Sequence, residues 1–267
     1  MDIRDAYFSA LHARCAIDPS VIVIVGDFDA HWLNRIAKDF PAQYFNAGIA
    51  EQNMVSVAAG LALEGRKPFV CGQNNFITLR AMEQISVDVC QMRLPVTLVG
   101  VGSGFAFSID GPTHHGVTDL GMMLQLPIDI YNVSSGFTAH SCVQEAGAFP
   151  AYHRLGKGEG VQSGDSGEGW RIVKEGSPHV VTSGVMMLKE CLKATEGTGW
   201  GVIDHYRPSK RFEAVGYVVE DNLRGPIAKL LGLPGICPAD YVFEYGPEDF
   251  LLKKAGLDAE SIRRRLL

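Results

Sequence analysis

The chain has 267 residues, 46% of them hydrophobic and 20% charged, with a formal net charge of −6. This composition fits a folded globular protein and excludes intrinsic disorder. The acidic balance argues against nucleic acid as a partner, and the longest cationic run, Arg263-Arg264-Arg265, is short and terminal.

Along the chain, Val21-Ile22-Val23-Ile24-Val25 is β-branched and stops at Gly26-Asp27, which predicts a buried strand. A helix follows from Ile49 to Glu64, apolar on most faces and ended by Gly65. Phe69-Val70-Cys71 is a strand, Leu79 to Met92 an amphipathic helix, and Val96 to Val101 and Ile128 to Val133 two more strands. Gly156 to Gly169 holds many glycines and no core pattern, so it reads as a linker or mobile loop. The alternation then restarts with strands at His179–Thr182, Gly201–Asp204 and Tyr217–Glu220, and helices at Met186–Thr195 and Pro226–Leu231. The tail from Pro247 to Leu267 is expected to be helical. Strand–helix alternation with nearly continuous apolar strands predicts an α/β protein of two domains, 1–160 and 170–267. Each would be an open, mostly parallel sheet with helices on both faces.

Six cysteines (Cys15, Cys71, Cys90, Cys142, Cys191 and Cys237) lack C-x-x-C spacing, which speaks against a zinc site or a disulfide framework. The first residues, Met1-Asp2-Ile3-Arg4-Asp5, form no apolar leader, and no apolar stretch reaches spanning length. A cytoplasmic protein with no membrane partner is therefore expected.

Two segments carry chemistry. In Phe45-Asn46-Ala47-Gly48-Ile49-Ala50-Glu51-Gln52-Asn53-Met54 a carboxylate sits in the first turn of an apolar helix, where the helix dipole favours it. Helix capping is the ordinary explanation of such a glutamate. A glycine and two amides in the same turn also suit the close approach of a ligand. In Ser108-Ile109-Asp110-Gly111-Pro112-Thr113-His114-His115-Gly116, Gly-Pro forces a turn just past the carboxyl end of a strand, where open α/β sheets bind ligands. Adjacent loop histidines point apart and no third metal ligand is spaced to join them. Acid–base work or hydrogen bonding to substrate suits them better than metal, and two structural histidines remain the plain alternative.

The 45–52 segment, Asn75-Phe76-Ile77-Thr78-Leu79-Arg80-Ala81-Met82-Glu83-Gln84-Ile85 and the Asp110–Gly116 loop follow one another in an order and spacing that resemble the thiamine diphosphate-dependent transketolase family. Tyr152-His153-Arg154-Leu155-Gly156-Lys157 is similar to the strand closing that family's pyrimidine-binding domain, and 179–258 resembles a shortened form of its C-terminal domain. The resemblance implies that Glu51 hydrogen-bonds N1′ of the coenzyme's aminopyrimidine, favouring the imino tautomer that takes the proton from the thiazolium. It implies that Phe76 stacks on that ring, with Gln52 and Ile49 beside it. His114 would contact substrate oxygens, with His115, Asp110 and Lys157 as further substrate contacts. Nothing resembles the Gly-Asp-Gly…Asn element that holds Mg2+ and the diphosphate, since Gly26-Asp27 and Gly164-Asp165 are the only Gly-Asp pairs.

The resemblance therefore implies a split transketolase moving a two-carbon ketol unit between sugar or sugar phosphate substrates. A separate diphosphate-binding subunit would supply the metal ligands, in an α2β2 heterotetramer built on a homodimer of this chain. The alternatives are the beta subunit of a 2-oxo acid dehydrogenase, a deoxyxylulose phosphate synthase-like enzyme, and a non-catalytic scaffold. Gly102-Ser103-Gly104-Phe105-Ala106-Phe107 stands where the synthases carry an arginine, which implies a different acceptor.

Overall fold

The computed structural model describes residues 1–162, 169–210 and 212–267. Much of the glycine-rich segment, including Gly164-Asp165, lies outside the described residues.

Helix α1 (Ile3–Ile17) precedes strand β1 (Val21–Val25), α2 (His31–Asp39), β2 (Tyr44–Asn46), α3 (Glu51–Leu63) and β3 (Lys67–Gln73). A π-helical turn, Phe76–Arg80, the short α4 (Met82–Gln84) and a second π-helical stretch, Ile85–Gln91, lead to β4 (Thr97–Val101). Then come α5 (Asp119–Met123), β5 (Asp129–Val133), α6 (Gly136–Glu145) and β6 (Ala151–Leu155). The six strands form one fully parallel sheet in the order β2-β1-β3-β4-β6-β5.

Successive strand residues point to opposite faces, which explains the all-apolar β1. Val21, Val23 and Val25 pack with Leu11 of α1, Leu33 of α2 and Cys142 of α6. Ile22 and Ile24 pack on the other face with Met54, Val55 and Ala58 of α3 and Ile85 of the π-helical stretch.

The second sheet contains β7 (Arg171–Lys174), β8 (His179–Thr182), β9 (Gly201–Asp204), β10 (Gly216–Val219) and β11 (Gly235–Ile236), ordered β11-β10-β8-β9-β7. It is parallel except where β7 pairs antiparallel with β9. Helices α7 (Val185–Ala194), α9 (Glu248–Ala255) and α10 (Ala259–Leu266) cover one face, and α8 (Pro226–Leu231) the other. The tail forms two helices because Gly256, at φ +69°, ends α9.

One apolar cluster runs through both sheets, joining Ile130 and Tyr152 to Val181, Ile203 and Ile227. Polar bonds cross there too: Asn132 Nδ2 donates to Ser183 Oγ at 3.0 Å and Leu120 N–H to Asn222 Oδ1 at 3.0 Å.

His153 of β6 is fully buried, with Nδ1 2.7 Å from the Tyr7 hydroxyl. Burial, and secondarily the Arg207 charge, pull its pKa down to about 3. A histidine depressed in the folded state binds fewer protons there than when unfolded. Its contribution is therefore present above the ordinary pKa of 6.5 and is lost as pH falls from there toward 3. Between pH 7 and pH 5 the wild-type chain is expected to lose about 2 kcal/mol more unfolding free energy than His153→Leu. Urea titrations at the two pH values measure this, and equal losses would refute it.

Candidate active site

The predicted residues lie past the carboxyl ends of the first sheet's strands, where such sheets bind ligands. After β2, Asn46 Oδ1 accepts the backbone N–H groups of Asp27 and Gly48, at 3.1 and 3.0 Å, and Gly48 turns at φ +69°. This bend starts α3 at Glu51, which is 4% exposed. No side chain caps the helix there. The Glu51 carboxylate instead accepts from Arg80, Nη1 to Oε2, at 2.7 Å. Simple capping is thus not the role of this acid.

After β3, Gln73 Oε1 accepts the N–H groups of Asn75 and Phe76, starting the π-helical turn. That wider turn sets Arg80 nearly over Phe76, with the guanidinium 4.4 Å from the ring centroid. After β4, the histidine loop returns to the same place. Gln73 Nε2 donates to the His114 carbonyl at 3.1 Å, and Asn75 Nδ2 to those of Thr113 and His115 at 3.0 and 2.9 Å.

His114 therefore faces Phe76, ring centroids 5.1 Å apart and steeply inclined, with Phe107 6.4 Å away. Its Nδ1 shares a hydrogen bond with Thr113 Oγ1 at 3.0 Å. Among the described residues Nε2 has no protein partner, so it is the nitrogen open to a ligand.

His115 turns inward. It is fully buried, its Nδ1 is 3.2 Å from the Val242 carbonyl, and its ring meets Phe105 edge-on. Burial lowers its pKa, so the neutral ring is favoured and Nδ1–H donates to that carbonyl. Asp110 and Gln52 are exposed beside the mouth, and Ile49 is 73% exposed on its rim. Lys157, also exposed, lines a cleft of about 370 Å³ with Lys189, Lys193 and Glu248. Glu51, Arg80, Phe76 and His114 form one chain of contacts, whereas the Lys157 cleft is lined by none of them.

Two neighbours went unassigned in the sequence. Arg80 lay inside a quoted motif but signals nothing without the π-helical register. Phe107 sits against His114 because its ring fills the space over Gly102, at φ +95°, where a Cβ would stand 2.2 Å from it.

The loop is held from below. Gly104 and Gly116 exchange backbone hydrogen bonds of 2.9 and 2.8 Å. Arg154, fully buried, donates to the Gly116 carbonyl at 2.7 Å, to Asp119 at 2.6 Å and to Asp221 of the second sheet's side at 3.0 Å. Burial alone would favour a neutral group at Arg154, but the two carboxylates raise its pKa and keep it charged. A Cβ at Gly116 would stand 2.7 Å from the Gly102 carbonyl. Gly116→Ala is expected to displace His114 and lower any site-dependent rate by about 10²-fold, the scale of a displacement near 1 Å. Steady-state kinetics with circular dichroism as a fold check measures it, and an unchanged rate would refute it.

Among the described residues no group of three His, Cys, Asp or Glu side chains could hold a metal ion, and no helix is long and apolar enough to cross a membrane.

This arrangement defines an α/β protein with a buried acid and an aromatic–histidine pair at the sheet's carboxyl edge, on the architecture of the transketolases. The transketolase from Leishmania mexicana matches 99% of this chain with 45% of its own, at a TM-score of 0.80 and 18% identity, a likeness of fold. A split-gene transketolase solved as an inactive β4 tetramer is 27% identical, with a TM-score of 0.80 over 100% of this chain and 97% of that one. Residues 1–156 match the transketolase pyrimidine-binding domain, and the chain belongs to the transketolase family.

Among curated relatives, the 1-deoxy-D-xylulose-5-phosphate synthase of Syntrophotalea carbinolica is 29% identical over 95% of this chain and 46% of its own length. One subunit of the apulose-4-phosphate transketolase of Phocaeicola vulgatus is 40% identical over 46% of this chain and 40% of its own. The matched stretch thus covers less than half the length of each of these relatives.

Proposed function

We propose that this chain is the pyrimidine-binding subunit of a split, thiamine diphosphate-dependent transketolase that moves a two-carbon ketol unit between sugar or sugar phosphate substrates. The observation that carries the reading is Glu51, a carboxylate 4% exposed at the mouth of α3, grouped with Phe76 and His114. The residues fit the pyrimidine end of the coenzyme, offering a buried acid for a ring nitrogen and an aromatic for the ring face. When bound, the coenzyme supplies the reactive thiazolium carbon that takes up the ketol unit. Glu51 would hold the proton shared with the ring nitrogen. Phe76 would orient the ring, and His114 would hydrogen-bond substrate oxygens through Nε2. Gln52, Ile49 and Asp110 would flank the site as coenzyme and substrate contacts, Lys157 would meet substrate only from its separate cleft, and His115 would anchor the loop.

The diphosphate and Mg2+ ligands would come from a partner subunit, in an α2β2 assembly. The match to nearly all of a split-gene transketolase chain supports a partner. So do large apolar side chains exposed around the site: Phe45, Ile49, Ile109, Phe243 and Tyr245. The last two flank the loop that Tyr241 ties to the Pro112 carbonyl at 2.7 Å.

A second reading, a deoxyxylulose phosphate synthase-like enzyme, is favoured by the relative matched over 95% of this chain. Mixing the chain with a candidate diphosphate-binding subunit and screening donors separates the two. We expect ketose-dependent transfer in the mixture and none with either subunit alone. Turnover of pyruvate without any ketose would overturn the leading reading.

A further inference from the structure

The Arg80 guanidinium makes two contacts at the site. Nη1 donates to Glu51 Oε2 at 2.7 Å, and the group lies 4.4 Å from the Phe76 ring centroid. A flat cationic N–H donor, resting on an aromatic ring and bonded to a buried acid, has the recognition chemistry of a protonated aminopyrimidine. We propose that Arg80 is an internal stand-in for the coenzyme's pyrimidine, occupying Glu51 and Phe76 in the free chain and giving up both when the ring binds. This inference rests on the thiamine diphosphate reading above.

Four observations support it. The Glu51 side chain is 5% exposed, and a carboxylate so buried is costly without a partner. Arg80 supplies that partner. The Arg80 side chain is 44% exposed, so it can leave into solvent with little packing lost. It also holds Glu51 through one N–H rather than through the paired fork of a strong arginine–carboxylate contact. Its position depends on the π-helical turn Phe76–Arg80, a local irregularity of a kind frequent at functional sites.

A group that must leave first lowers the apparent affinity of the incoming ligand by the fraction of open sites. Removing it raises that affinity. The test is calorimetric titration of thiamine diphosphate with Mg2+ into the chain mixed with its partner subunit, comparing wild type, Arg80→Ala and Arg80→Met. The methionine variant keeps an apolar stem over Phe76 should alanine disturb the fold, and a melting curve checks both. We expect about tenfold tighter binding in the variants. Binding to wild type with equal or weaker binding to both folded variants would overturn the stand-in alone. Absence of binding to wild type and variants alike would overturn the coenzyme reading and this inference with it. Binding to the variants without binding to wild type would be the stand-in at full strength.

Discussion

Glu51→Gln is expected to lower the coenzyme-dependent rate of the mixed subunits by about 10²–10⁴-fold, the range for loss of a positioned acid–base group. The amide keeps the shape and can still accept from Arg80, but it cannot share a proton with a ring nitrogen. The residue is 4% exposed, so it offers little surface to an interface, and assembly should survive. Single-turnover kinetics measures the rate and size-exclusion chromatography the assembly. An unchanged rate would remove the carboxylate from the mechanism, and dissociated subunits would give it a structural role instead.

The second large effect is on stability. Asp119→Ala is expected to cost about 3–5 kcal/mol, the scale for leaving a buried charge without its partner. Asp119 accepts from Arg154 Nε at 2.6 Å, from the Tyr152 hydroxyl at 2.6 Å and from Asn74 Nδ2 at 3.1 Å, all of them buried. Asp221 continues to face Arg154, which puts the loss at the lower end of that range. At about 2–4 °C per kcal/mol, the melting temperature falls by about 10 °C. Lys193→Ala, which breaks a pair whose lysine is 65% exposed, is expected to change stability by less than about 1 kcal/mol. A similar small change for Asp119→Ala, read by thermal denaturation, would show that the buried cluster is dispensable.

Much of the fold was legible because its strands are short β-branched runs whose two faces are both covered. Val21–Val25, His179–Thr182 and Gly201–Asp204 lie where the pattern puts them, and α8 keeps its expected bounds at Pro226 and Leu231. Strand β7 was missed because Arg171-Ile172-Val173-Lys174 is a mixed edge strand whose arginine is buried by a pair with Asp204. Hydrophobic spacing predicts one amphipathic helix over 79–92. The π-helical turns at and before it sit beside long-range bonds, from Gln73 to the His114 carbonyl and from Asn75 to those of Thr113 and His115, that hydrophobic spacing does not encode. In the site, the motifs point to Glu51, Phe76 and His114, and Phe76 meets His114 directly while Glu51 joins them through Arg80. The divergence of His114 and His115 follows from their being neighbours on a loop. Which of them faces inward required the carbonyl of Val242, 127 positions away. Arg80 and Arg154 escaped because a cation in a sequence does not announce the acid it meets in space.

The continuous apolar body that threads both sheets has a consequence for modularity. Leu120 and Ile130 on one side share their oil with Ile203, Val218 and Ile227 on the other. Neither half can be shed, borrowed or exchanged as a free module without a new polar coat over that seam. The C-terminal sheet, though remote from Glu51 in sequence, is therefore tied to the half that carries it, and substitutions in either lobe are constrained by packing against the other.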